Sequence, residues 1–301
     1  MLTEVAADYP QIIETFEEAG AILGRDLWAL VRSGPAETLA QTELTQPLML
    51  AGGVAVWRAW CAQTEMRPAF MAGHSLGEYS ALVAAGSLEF SAALRAVVER
   101  ARLMQTAVPA GEGAMAAILG LDDATVEALC RQAAQDQVVA AANYNSPGQI
   151  VIAGHRDAVD RAMEACKTAG ARRAMKLPMS VPSHCALMKP AALEFEQVLA
   201  ATEIRAPRIP VLHNADLQTH DSQPAIRSAL VAQLCAPVQW TATIQAMSER
   251  GIGVFAECGP GRVLSGLGRR IDRQSRWIAL ETPAGMQELL AQDEAAERTS
   301  S

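Results

Sequence analysis

Residues 71–86 read MAGHSLGEYSALVAAG: an apolar lead-in, a serine between two glycines, then a helix-forming run. Pro68 to Ala72 is short and apolar, and Glu78 to Ala85 has helical propensity up to Gly86. The order strand, sharp turn, helix is that of a nucleophile elbow, where a serine on a strained turn, here Ser75, exposes its hydroxyl. The flanking glycines, Gly73 and Gly77, let the backbone approach closely, and the amide of the next residue, Leu76, is the expected donor to an oxyanion at the helix start. G-x-S-x-G also describes an ordinary glycine-rich turn. The rest of the chain decides between them.

A serine hydroxyl needs a base. Of His74, His155, His184, His213 and His220, His74 adjoins the serine and projects elsewhere, and His155 and His220 fall in polar turns. His184, in LPMSVPSHCALMKP, follows two prolines and precedes a helix, so it can stand at a helix start and face a site. His213 is its rival, inside an apparently buried strand. The six cysteines are scattered without C-x-x-C pairs, so neither a zinc site nor a disulfide framework is expected, and most read as small core side chains. Cys185 adjoins His184, but neighbouring side chains in an extended stretch point to opposite faces. It is not expected to be a nucleophile.

Around the elbow the periodicity predicts helices over Tyr9–Leu30, Thr45–Trp60 and 91–107. A different rhythm follows: strand GAMAAILGL, helix Asp122 to Ala134, strand VVAAANY, a turn at SPG, strand QIVIAGH, helix Asp157 to Ala169 and strand ARRAMKLP. This β-α-β-β-α-β order is ferredoxin-like and fits a small domain inserted over 110–179. Helix Pro190 to Ala201, strand IPVLHNA, helix Ser228 to Leu234 and strand GVFAECGPG then resume the large domain, taken as 1–109 with 180–288. Residues 289–301 read as a polar tail, expected to fray. The 301 residues are 50% hydrophobic, enough for a large core, and 25 basic against 33 acidic side chains give a net charge of −8. That balance argues against general affinity for nucleic acid or anionic membranes. No secretory signal or membrane-length apolar run is visible, so a cytoplasmic protein is expected.

The stretches AGHSLGEYSALVAAG, VVERARLMQ, GAMAAILGLDD, NYNSPGQIVIAGH, LPMSVPSHCALMKPA and ECGPGRVLSGL together resemble the bacterial malonyl-CoA:acyl carrier protein transacylases of fatty acid synthesis. The matches run in order to about residue 285. The resemblance implies an α/β-hydrolase-like large domain with a parallel-sheet core, and a ping-pong reaction carrying malonyl from malonyl-CoA to a serine and then to the phosphopantetheine thiol of acyl carrier protein. No bound cofactor or metal is implied, and a monomer is expected. Ser75 is then the nucleophile, His184 the acid/base, and Arg100 the clamp for the malonyl carboxylate. Malonyl differs from acetyl by that carboxylate, which a guanidinium holds with two parallel hydrogen bonds. The family gives its histidine a main-chain carbonyl instead of an aspartate, here that of Gln233. Arg172 and Arg173 would face the coenzyme A or carrier arm, although solvated edge charges explain them equally well. Asn143, Asn145 and GPGRVLSGL need no ligand role: turns suffice.

The family begins with an apolar strand and a G-Q-G-S-Q motif whose glutamine supplies the second oxyanion amide, whereas the first residues here, MLTEVAADYP, already match the family's first helix. This stretch alone is therefore expected to leave sheet backbone unpaired and to lose about 100- to 1000-fold in turnover. Two other readings of the elbow stay open: a serine esterase, and a carrier-binding relic without turnover.

Overall fold

The computed structural model describes residues 2–35, 39, 42–179 and 181–300. Met1, Ser301 and the expected domain boundary at Ser180 lie outside them. In chain order come α1 (Val5–Asp8), α2 (Gln11–Leu23), α3 (Leu27–Ser33), α4 (Thr42–Cys61), β1 (Met71–Ala72), α5 (Gly77–Ala84) and α6 (Phe90–Thr106). Then follow β2 (Gly113–Leu119), α7 (Asp123–Ala134), β3 (Val139–Ser146), β4 (Gln149–His155), α8 (Arg156–Thr168) and β5 (Arg173–Lys176). The remainder is a 3₁₀ turn (Ala186–Met188), α9 (Lys189–Ala200), β6 (Val211–Leu212), α10 (Gln223–Cys235), α11 (Trp240–Glu249), β7 (Val254–Glu257), α12 (Val263–Ile271), β8 (Arg276–Ala279) and α13 (Pro283–Ser300). Two compact units result. The first holds Met1–Val98, Arg205–Val211 and Met247–Ser301, the second Glu99–Ile204 and Leu212–Ala246.

In the first unit α2 buries Ile12, Phe16 and Ala19, one helical face, and packs with α4. The expected continuous helix to Leu30 is broken because Gly24 adopts φ +65, a left-handed C-cap that glycine enters without a Cβ clash. Asp26 Oδ1 then accepts from the Ala29 amide at 2.8 Å and caps α3. The strands here are short: the Met71 amide at the start of β1 donates to the Pro210 carbonyl, and β7 lies parallel to β8 in the register Val254↔Arg276 to Glu257↔Ala279. On β7 Val254 and Ala256 are exposed. Helix α13 continues through the polar end of the chain to Ser300.

The second unit contains the four-stranded antiparallel sheet β3-β4-β2-β5, the strand order of a ferredoxin-like fold. Alternation along the strands sorts its two faces. Ala114, Ala116 and Ile118 of β2, with Ile150 and Ile152 of β4, pack under α7 and α8, which contribute Val126, Cys130 and Ala133, and Ala158, Val159, Ala162 and Cys166. The other parity, Met115, Val151 and Ala153, packs against Cys185 and Leu187. That second face fixes the segment carrying His184. The cysteines follow the expected pattern at Cys130, Cys166 and Cys185, which are buried, but Cys258 is exposed.

Candidate active site

Ser75 sits where strand β1 turns into helix α5, half-exposed, with φ +51. A non-glycine residue in this region costs on the order of 1–3 kcal/mol and persists only where its surroundings hold it. Here the amides of Gly77, Glu78 and Tyr79 donate in sequence to the carbonyls of His74, Ser75 and Leu76 at 2.9, 3.1 and 3.0 Å. Helix α5 is anchored by buried Glu78, Tyr79, Ala81 and Leu82. The two glycines are not equivalent, contrary to the sequence expectation. A Cβ on Gly73 would lie 1.9 Å from the Gly77 carbonyl carbon, whereas one on Gly77 meets nothing within 4 Å. Only Gly73 is required by close approach.

His184 lies in the second unit, buried, at φ +61. Its amide donates to the Leu234 carbonyl at 3.1 Å and its Nδ1 lies 2.8 Å from the Gln233 carbonyl oxygen. A carbonyl can only accept, so Nδ1 carries the proton and Nε2 presents a lone pair, the form a general base needs. Both carbonyls belong to the last turn of α10, where helical carbonyls lack intrahelical donors. The negative end of the helix therefore faces the ring and favours a positive charge on it.

Gln233 is itself fully buried, and its side chain turns to α6: Arg100 NH2 donates to Gln233 Oε1 at 2.9 Å. Arg100 is 1% exposed. The second unit thus brings together Arg100, Gln233 and His184, three of the residues singled out in the sequence. Ser75 and Leu76 belong to the first unit.

The remaining candidates separate cleanly. His213 is buried with its ring 5.1 Å from that of His220, and His220 Nε2 lies 2.8 Å from Asp216 Oδ2. His155 Nδ1 accepts from the Val138 amide at 2.9 Å, a structural bond at the end of β4. The Cys185 thiol donates to the Pro182 carbonyl, and burial pushes its pKa up to about 11, which makes it a poor nucleophile. Arg172 and Arg173 are exposed at the start of edge strand β5. The glycine turn 259–261 is no phosphate loop: Glu257 accepts from the Leu264 and Ser265 amides at 2.9 and 2.7 Å, so a carboxylate already occupies the start of α12. Sequence reading missed that cap because its seven-residue offset belongs to no short motif. Among the described residues no His/Cys/Asp/Glu cluster could hold a metal, and no helix is long and apolar enough to cross a membrane.

Residues 8–287 match the family model of the acyl transferase domain. The chain is 53% identical over 292 residues to the malonyl CoA-acyl carrier protein transacylase of Salmonella typhimurium, covering 97% of this chain and 94% of that one. The chain belongs to the malonyl CoA-acyl carrier protein transacylase family. The family's transacylase structure from Coxiella burnetii superposes with a TM-score of 0.95 at 50% identity, covering 96% of this chain and 92% of that one. A malonyl-transacylase solved in complex with a type II polyketide acyl-carrier protein gives 0.94 at 51% identity, over 95% and 93% of the two chains. The fold, an α/β hydrolase-like body with a ferredoxin-like sheet, is therefore that of the transacylase family.

Proposed function

We propose that this chain is an acyl carrier protein S-malonyltransferase, moving malonyl from malonyl-CoA to the phosphopantetheine thiol of acyl carrier protein in fatty acid synthesis. The observation that carries the reading is Gln233: one residue holds the acid/base through its main chain and a buried arginine through its side chain. His184 Nε2 takes the Ser75 proton as the hydroxyl attacks the malonyl thioester, and returns it to the departing coenzyme A thiolate. In the second half-reaction it takes the proton of the carrier thiol and gives it back to Ser75. The Leu76 amide, at the N-cap where helical amides lack intrahelical acceptors, stabilises the tetrahedral oxyanion. Arg100 grips the free carboxylate of the malonyl group.

Exposure of Arg172 and Arg173 on an edge strand suits them to the phosphates of coenzyme A or of the carrier arm. The continuous β-α-β-β-α-β run supports 110–179 as an inserted domain within 1–109 and 180–288, a smaller piece than the second compact unit, which also takes in 99–109, 181–204 and 212–246. The test is incubation with malonyl-CoA followed by intact-mass and peptide analysis. A malonyl adduct on Ser75 that is discharged by pantetheinylated carrier protein is expected. An adduct that decays to free acid without any acceptor would instead make the chain an esterase. No adduct alongside retained carrier binding would make it a relic.

A further inference from the structure

Gln233 stands in the last turn of α10, fully buried, 133 positions from the arginine it contacts. A guanidinium offers only donors, so the amide atom facing Arg100 is the oxygen. The partner at this end of the guanidinium is thus a neutral acceptor. Chemistry makes that choice consequential. A carboxylate at the same place would take the guanidinium fork in a charge-assisted pair and neutralise it, while an aliphatic side chain would leave a buried N–H without its acceptor. A neutral amide does neither: it fixes one NH2 without itself neutralising the guanidinium.

We propose that the Gln233 side chain is a positioning residue for acyl selectivity, aiming the Arg100 guanidinium at the substrate carboxylate without quenching its charge. The inference rests on Arg100 being the malonyl clamp. It also assigns separate duties to the two ends of one residue: the side chain governs which acyl group is held, and the main-chain carbonyl, which no substitution at 233 removes, governs the proton on His184. Selectivity and acid/base chemistry are then separable by mutation at a single position.

The experiment measures binding of malonyl-CoA and acetyl-CoA to the chain carrying Ser75→Ala, which needs no turnover, and the pH profile of Ser75 loading in the active-serine background. Gln233→Leu is expected to lower the malonyl-over-acetyl preference about tenfold or more, the scale of a hydrogen bond to a charged group, with the acid limb of the loading profile unmoved. Gln233→Glu, nearly identical in volume, is expected to lower that preference further while acetyl-CoA binding persists. Circular dichroism and thermal melts confirm that each variant is folded, and the Glu variant keeps the test alive should Leu fail. Equal losses for the two thioesters, or a Glu variant with wild-type preference, would overturn the proposal. Arg100→Ala in the same assay separates the two levels. If it leaves the preference intact, the clamp itself is wrong; if it abolishes the preference while both Gln233 variants retain it, only the positioning role fails.

Discussion

His184 spans two carbonyls at the end of one helix, its amide on Leu234 at 3.1 Å and its Nδ1 on Gln233 at 2.8 Å, with φ at +61. The ring and the backbone are therefore fixed by the same turn. Asparagine tolerates the left-handed region better than alanine does. Both His184→Asn and His184→Ala are expected to slow malonyl transfer by about 100- to 10,000-fold, the usual worth of a general base, while the Asn variant melts at the higher temperature. Single-turnover transfer and thermal melts check this. An Asn variant with unimpaired transfer would remove His184 from the chemistry.

The elbow glycines make a second contrast. Gly73→Ala drives a methyl into the Gly77 backbone, and no flexible side chain is there to yield. Loss of Ser75 acylation together with a clear fall in melting temperature is expected. Gly77→Ala meets open space at the first position of α5, so its melting temperature should stay level or rise, by up to about 1 kcal/mol of stability. Equal destabilisation by the two changes would show that Gly73 is not the position under steric constraint.

Arg100→Lys tests shape against charge. Lysine keeps the positive charge but cannot hold Gln233 Oε1 and grip a carboxylate with two parallel bonds. Malonyl loading is expected to fall about 10- to 100-fold, with acetyl loading changed far less, as read from the ratio of loading rates. A lysine variant with the parent ratio would mean that charge alone selects the substrate.

How much of this was legible depends on how local the signal was. The β-α-β-β-α-β run was readable because alternation in β2 and β4 and the i, i+4, i+7 spacing of Val126, Cys130 and Ala133 are local patterns. Ser75 and Leu76 were legible as a motif, and His184 through its flanking prolines. The role proposed for Arg100 rests only on resemblance, since a helix-borne arginine looks the same in sequence whether it is buried or exposed. The break at Gly24 is hidden by apolar periodicity that continues past it to Leu30. Among the described residues strand β8 pairs only with β7, and Glu257 caps α12 through a turn. Such long-range or irregular partners leave no spacing to read.

The turn before β8 supplies a pH-dependent prediction. Asp272 accepts from Ser275 Oγ and Ser248 Oγ at 2.5 and 2.7 Å and from the Gln274 and Ser275 amides at 2.9 and 3.3 Å. These bonds, Ser275 and Ser248 foremost, favour the ionised carboxylate and pull its pKa down to about 2. A depressed carboxylate stabilises the fold fully above its unfolded pKa of about 3.9 and loses that contribution as pH falls through the folded value. Asp272→Asn should therefore melt below the parent chain at pH 7, and the gap should shrink between about pH 4 and pH 2. Comparing the two chains at each pH cancels the titration of every other carboxylate they share. A gap that stays constant to pH 2, or widens on acidification, would show that the turn is not held by the charge on Asp272.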